Sequence, residues 1–268
     1  ALDGMGGDVG PDIVVPAEAI GFAAAGQLRD SDHAPFVERR GVKFNVPLDV
    51  RTPSYSDNSY AAQANIPEMW SFDFWRRFLD EMARRRFNVL TLWNLHPFPS
   101  LVRTPEYPEV ALDDVLRTRV PMDETYSHSG SDMVRPELLA DVEVVKRMTI
   151  GEKIRFWREV MQYACDRGIE VYWFTWNIFT FGAEGKYGID ASRANPVTLD
   201  YFRASVREMV LTYPLLAGFG VTAGEQMPDG AEGPSKEQWL YGAYGQGVAD
   251  ALKLQPGRKV RMIHRYHM

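Results

Sequence analysis

The apolar positions of the chain follow two alternating patterns from about residue 42 onward. Five short segments are rich in β-branched and aromatic residues and are bounded by Gly, Pro or polar clusters, a pattern that predicts strands. These segments are 42–48, 88–95, 170–178, 215–222 and 259–264. Between them, apolar residues recur at helical spacing. This spacing predicts helices over 72–86, 149–167, 196–212 and 235–252.

Two of the helices have clear start signals. Thr149 and Glu152 match the capping-box pattern, and Gly168 follows the end of that helix. Asn195 is a good N-cap residue and precedes Pro196 at the first helical position. The single cysteine, Cys165, rules out an internal disulfide. It lies among apolar residues of the first of these helices, so we predict that it belongs to the core.

Alternating strands and helices predict an α/β fold with a parallel sheet, either closed into a barrel or open and doubly wound. The barrel is favoured because a polar or aromatic cluster follows every predicted strand, and barrel chemistry collects at the carboxyl ends of strands. A complete barrel has eight strands, whereas this chain supplies about five. We therefore predict an incomplete, apparently truncated (β/α)8 TIM-type barrel over residues 40–268, preceded by a Gly/Ala-rich segment and linker over residues 1–39.

Two regions depart from the alternation. Residues 98–148 contain several prolines and only short helical pieces, which is long for a connection and suggests either function or disorder. Residues 1–11 suggest a Gly-rich loop before a helix that begins near Pro11. Such loops can present backbone N–H groups to a phosphate, but by spacing alone this signal is weak and a plain Gly-rich turn is favoured.

The residues after the predicted strands supply the candidate site. Glu225 lies just beyond the fourth predicted strand and is the candidate catalytic acid. Glycoside hydrolysis generally needs a second carboxyl group, and Asp49 is the best visible partner. Indole rings can stack on sugars while amide and imidazole groups bond hydroxyls, and a Trp-Asn pair occurs after two strands. The candidate substrate-binding residues are Asp49, Arg51, Trp93, Asn94, His96, Trp176, Asn177, His264, Arg265 and His267.

Charge and composition narrow the possible partners. The 268-residue chain has a net charge of −6 and no run of Lys or Arg, which argues against a nucleic-acid surface. It has no apolar stretch of roughly 20 residues, so no membrane span is predicted. His264 and His267 have the spacing of a zinc pair, but in a strand they would point to opposite faces. We predict a carbohydrate partner, no metal and no cofactor. Localisation stays open.

Three segments resemble glycoside hydrolase barrels of the hexosaminidase and α-glucuronidase type. They are residues 40–57, Leu92-Trp-Asn-Leu-His-Pro-Phe-Pro and Gly220-Val-Thr-Ala-Gly-Glu, and the resemblance covers about residues 40–268. It implies a (β/α)-barrel in which a carboxylate after the fourth strand is the general acid, a position that Glu225 matches. Hexosaminidases of this type have Asp immediately before the acid. This chain has Gly224, which puts substrate-assisted chemistry on N-acetylhexosamines in doubt.

The amino end has a second, shorter resemblance. Asp3, Met5, Gly6-Gly7-Asp8 and Gly10-Pro11 are similar to the opening motif of the phosphate acyltransferases of phospholipid synthesis, over about 16 residues. Three hypotheses follow: a glycoside hydrolase that cleaves an oligosaccharide or polysaccharide, a non-catalytic carbohydrate-binding or inactive barrel fragment, and an acyltransferase-like protein. Five strands left open would expose two sheet edges, so we also expect self-association.

Overall fold

A sheet of six strands organises the computed structural model, which describes residues 12–14, 38–53, 60–121, 136–176, 178–223, 227 and 232–266. Its strands, in spatial order, are β1 (Asp12–Val14), β2 (Gly41–Asn45), β3 (Val89–Trp93), β6 (Glu170–Trp176), β7 (Leu216–Ala223) and β8 (Arg261–Tyr266). β1 pairs antiparallel with β2, and all other neighbours are parallel. The remaining strands, β4 (Val115–Thr118) and β5 (Val142–Lys146), form an antiparallel pair of their own.

Helices follow the parallel strands along the chain. The α-helices are α1 (Tyr60–Met69), α2 (Phe72–Arg84), α3 (Phe98–Leu101), α4 (Ile150–Cys165), α5 (Pro196–Thr212), α6 (Lys236–Leu240) and α7 (Gln246–Leu254). A π-helical turn, Tyr241–Gly245, joins α6 to α7, and 3₁₀ turns occur at Pro108–Val110 and Pro136–Leu139.

Local signals in the sequence correspond closely to these elements. The five predicted strands correspond to β2, β3, β6, β7 and β8, and the four predicted helices to α2, α4, α5 and the α6–α7 unit. The capping box of α4 is formed, and the Asn195 side chain accepts from Val197 N at the start of α5. The α/β fold with a parallel sheet is therefore confirmed. The sheet is not closed over the described residues, so the barrel stays a prediction.

The larger core lies between the sheet and the helices α2, α4 and α5. Trp157 of α4 is fully buried there, with its ring centroid 5.2 Å from Trp173 of β6 and 5.2 Å from Trp75 of α2. The amphipathic stripes of the helices cover this face because each helix would otherwise expose its apolar side to water.

A second, smaller cluster covers the opposite face of the sheet, which we call the aromatic face. Its members are buried side chains from β3, β6 and the chain just after them: Trp93, Leu95, Tyr172, Phe174, Trp176, Phe179 and Phe181. Gly220 of β7 makes this packing possible, because a Cβ at that position would overlap the Phe174 ring. In a closed barrel this face would be the interior, which is filled with side chains.

Several local predictions are corrected by the structure. A strand, β1, occurs where a helix was predicted to begin near Pro11, because its backbone pairs with β2. The segment 98–148 contains the β4–β5 pair, and the loop before α2 contains α1. Cys165 is exposed rather than buried. Ala164 is the last buried residue of α4, and the next position turns away from the core.

Other large-scale predictions are not decided by these elements. The division between residues 39 and 40 stays a prediction, although β1 comes from the amino-terminal segment and adds to the sheet. Self-association also stays a prediction; Met262 and Ile263 of β8 are both exposed. Over the described ranges, no helix is long and apolar enough to cross a membrane.

Candidate functional site

The carboxyl ends of the five parallel strands lie along one edge of the sheet. Trp176 of β6 pairs with Thr222 of β7, and Thr222 pairs with Arg265 of β8, so these three residues lie side by side. Register partners in a parallel sheet share a face, which is the aromatic face here. His264 precedes Arg265 and therefore points to the other face, where it is exposed. The structure thus brings Trp176 and Arg265 together and separates His264 from them.

Trp93 is held within the aromatic face. Its ring stacks on Phe174 at 4.3 Å between centroids, and the Lys43 Nζ atom lies 4.8 Å from the centroid of the same ring. Because β2 and β6 flank β3 on opposite sides, the indole is contacted from both neighbouring strands. Trp176 meets it edge-on at 5.1 Å. Trp93 is 8% exposed, so this geometry favours a packing role for a residue predicted to bind sugar.

Asn94 is fully buried, and both the nitrogen and the oxygen of its side-chain amide form hydrogen bonds within the chain. Its Nδ2 donates to the carbonyl oxygens of Val46 (3.0 Å) and Thr52 (3.1 Å), and its Oδ1 accepts from His96 N at 3.0 Å. Both hydrogens and one of the two lone pairs of the oxygen are thereby used. Asn94 thus fixes the chain after β2 against the end of β3, which points to a structural role rather than to a contact with a sugar hydroxyl.

His96 is also fully buried, with both ring nitrogens hydrogen-bonded. Nδ1 lies 2.6 Å from the Phe181 carbonyl oxygen and must carry the proton, because a carbonyl only accepts. Nε2 then accepts from the Tyr201 hydroxyl at 3.0 Å. Burial lowers the pKa of His96 to about 4, so the ring is neutral at physiological pH. His96 joins three separate parts of the chain beneath the site.

The titration of His96 predicts an acid-dependent loss of stability. In the unfolded chain the imidazole takes up a proton near pH 6.5, whereas in the folded protein it does so only near pH 4. The contribution of His96 to the free energy of unfolding is therefore fully present above pH 6.5. It is lost as the pH falls from 6.5 to 4, which lowers the free energy of unfolding by about 3 kcal/mol. Urea unfolding at several pH values measures this loss. The exposed His264→Gln variant should keep this pH dependence of the free energy of unfolding, and His96→Gln should lose most of it. If the free energy of unfolding depends on pH equally in both variants, His96 is not the group responsible.

Asp49 and Arg51 form a buried ion pair instead of two separate binding groups. Asp49 Oδ1 accepts from Arg51 N (2.9 Å) and Nε (2.7 Å), and Oδ2 accepts from Arg51 Nη2 (2.8 Å) and Leu116 N (3.0 Å). The Asp49 side chain is fully buried, and that of Arg51 is 24% exposed. With four donors on its carboxylate, Asp49 is better suited to holding β4 against the sheet than to taking part in proton transfer.

Three predicted site residues lie outside the described residues: Asn177, Glu225 and His267. Their roles stay predictions. The amino-terminal motif over residues 1–11 also lies outside the described part of the chain. Within the described ranges, no three His, Cys, Asp or Glu side chains are grouped so that they could hold a metal ion.

The structure adds two polar groups that the sequence did not single out. Asn45 Oδ1, at the end of β2, and Thr222 Oγ1, at the end of β7, are buried atoms without a hydrogen-bond partner. The strand partners of both residues belong to the aromatic face, so both residues lie on that side of the sheet. Buried polar atoms normally have partners, and β3 and β6 separate these two strands, so each atom needs a partner of its own, such as a water or a ligand hydroxyl. The sequence contained one signal that could have indicated Asn45, because it is a polar residue at the carboxyl end of β2.

The fold is similar to that of known glycoside hydrolases. A family 138 enzyme that targets the pectin rhamnogalacturonan II superposes with a TM-score of 0.54 at 23% identity, over 86% of this chain and 24% of that protein. An exo-β-1,4-mannosidase from an Opitutaceae bacterium gives a TM-score of 0.42 at 15% identity, over 87% and 32% of the two chains. β-Glucosidase 2 of the fungus Trichoderma reesei gives 0.42 at 9% identity, over 83% and 46%.

The superposition on the family 138 enzyme shows a similar fold and does not show an activity. The chain spans about a quarter of the length of the family 138 enzyme and less than half of the other two. No protein-family model matches the sequence, and no curated protein matches it significantly.

Proposed function

We propose that this chain is part of a glycoside hydrolase, with Glu225 as the general acid. One observation carries the proposal: Glu225 follows the end of β7 by two positions, on a parallel sheet whose fold is similar to that of a pectin-targeting glycoside hydrolase. Catalytic residues in barrels of this kind come from the carboxyl ends of strands. A carboxylic acid there protonates the leaving glycosidic oxygen.

The neighbouring groups support a sugar site at this edge. Thr222 is three residues before Glu225 and carries a buried hydroxyl without a partner, and Asn45 supplies a second such atom. A pyranose presents hydroxyls that can both donate and accept, as these two atoms require. Arg265, next to Thr222 in the register, adds a cationic side chain to the same row. We assign Trp93, Trp176, Asn94 and His96 to the scaffold beneath these groups.

A non-catalytic carbohydrate-binding role is the second candidate. It is favoured by the hydrogen bonding of Asp49, the predicted second carboxylate, because that carboxylate already accepts four hydrogen bonds. Hydrolysis would then need another carboxylate or a water-activating group from elsewhere in the protein.

Binding and turnover assays distinguish the two candidates. The purified protein is titrated calorimetrically with rhamnogalacturonan II and with β-mannan oligosaccharides, and the release of reducing ends is followed on the same carbohydrates and on aryl glycosides. We expect both binding and release on at least one of them. Binding without turnover would favour the non-catalytic role, and neither binding nor turnover would contradict both.

A further inference from the structure

Tyr187 is an exposed aromatic residue with an unusual backbone. It lies in the loop between β6 and α5, is 43% exposed, and has a φ of 55° in the left-handed region. That region is unfavourable for a bulky side chain, and Gly182, Gly185 and Gly188 are the residues of the loop that adopt it without cost. A glycine at position 187 would fit this backbone better, so the tyrosine ring is kept at the expense of local strain.

The ring of Tyr187 is held by a backbone hydrogen bond and by a contact with a buried aromatic ring. Its hydroxyl accepts from Glu109 N at 3.3 Å, and its edge meets the ring of Tyr107 at 5.4 Å with an interplanar angle of 89°. Tyr107 is itself buried and donates to Asp200 Oδ2 of α5 at 2.8 Å. An aromatic ring that is both exposed and held in one orientation loses little freedom when a ligand packs on it.

The loop that carries Tyr187 lies at the same edge of the sheet as the proposed site. Gly182 packs against Thr52 and the Arg51 carbonyl oxygen, just beyond β2. Lys186 connects the loop to the 3₁₀ turn Pro108–Val110, because its Nζ donates to the carbonyl oxygens of Gly182 and Glu109, both at 3.1 Å. Burial lowers the pKa of Lys186, and the positive charge of Arg51 lowers it further.

We propose that Tyr187 is a carbohydrate-binding subsite at the rim of the carboxyl-end edge, on which a sugar ring of an extended chain packs. The apolar face of a pyranose fits an exposed phenol ring that is held in one orientation, and the Lys186 ammonium is bonded to Glu109, the same residue that donates to the Tyr187 hydroxyl. That the ligand is a carbohydrate rests on the proposed function. The exposure and the fixed orientation of the Tyr187 ring do not depend on that function. A subsite at the rim implies that an oligosaccharide of several residues binds more tightly than a single sugar.

The test compares three variants in calorimetric titrations with rhamnogalacturonan II and with β-mannan oligosaccharides. Tyr187→Gly relieves the backbone strain but loses the hydrogen bond to Glu109 N and the contact with Tyr107, so it should fold, melt close to the wild-type temperature, and bind about tenfold more weakly. Tyr187→Phe keeps the ring and should bind within about twofold of wild type. Tyr241→Ala is the matched control: Tyr241 is 65% exposed, on the turn between α6 and α7, and should not affect binding.

The possible failures are distinguishable. If the wild-type protein binds a carbohydrate and Tyr187→Gly binds it equally well, the rim subsite is wrong and the proposed function stands. If Tyr241→Ala weakens binding as much as Tyr187→Gly, exposure of an aromatic ring rather than this site explains the effect, and the subsite is again wrong. If the wild-type protein binds neither carbohydrate, both the subsite and the proposed function fail.

Discussion

Glu225→Gln is expected to lower kcat/KM for hydrolysis of an unactivated glycosidic bond by about 10²–10⁴, the range that one general acid contributes. The amide keeps the size of the side chain but cannot protonate the leaving oxygen. A nitrophenyl leaving group departs without that proton, so an activated aryl glycoside should lose much less. The two substrates are compared by initial rates in a form of the protein that hydrolyses both.

Glu232→Gln is the matched control for this experiment. Glu232 belongs to the same stretch between β7 and α6 and is exposed, so the substitution should change the rate by less than about twofold. An equal loss of rate on both substrates in Glu225→Gln would indicate a binding or structural role for Glu225. Unchanged rates would show that Glu225 is not the general acid.

The sequence was most informative where local signals are strong. β3, β6 and β7 are contacted on both faces of the sheet, so they occur as nearly continuous apolar runs. The helices α4 and α5 begin at side-chain caps that can be recognised from two or three residues. Neither signal depends on distant parts of the chain.

The β4–β5 pair and α1 gave much weaker signals. β4 is four residues long, and its pairing with β5 includes an ion pair between Arg117 and Glu143, which the sequence separates by 26 positions. α1 contains Pro67 and has almost no amphipathic pattern. These elements depend on tertiary contacts, such as the hydrogen bond of Leu116 N to Asp49, that no local pattern shows.

The sequence could indicate an edge of the sheet for the candidate site but not the detail of that site. Polar residues after each strand indicated which edge of the sheet to consider. The sequence does not show which of these residues are already occupied: the partners of His96 lie 85 and 105 positions away, and those of Asn94 include residues 42 and 48 positions away. The unpartnered atoms of Asn45 and Thr222 likewise become visible only when every neighbour is known.

Asp49→Ala is expected to lower the free energy of unfolding by roughly 3 to 5 kcal/mol, the cost of removing one partner of a buried ion pair. The substitution leaves the Leu116 N–H without an acceptor and removes the carboxylate that orients Arg51. Arg51 Nη2 also donates to the carbonyl oxygens of Asp113 (3.0 Å) and Asp114 (3.1 Å), so the start of β4 should loosen as well. Because Arg51 reaches solvent, we expect the lower part of this range.

Chemical denaturation at pH 7 measures this effect, with Asp141→Ala as the control. Asp141 forms an exposed ion pair with Arg119 at 3.9 Å, and its loss should cost less than about 0.5 kcal/mol. A structural Asp49 predicts that stability falls and that any hydrolytic activity falls only in proportion to the unfolded fraction. If Asp49→Ala instead melts like the wild type and loses turnover completely, the carboxylate acts in catalysis, and its four hydrogen bonds must rearrange when substrate binds.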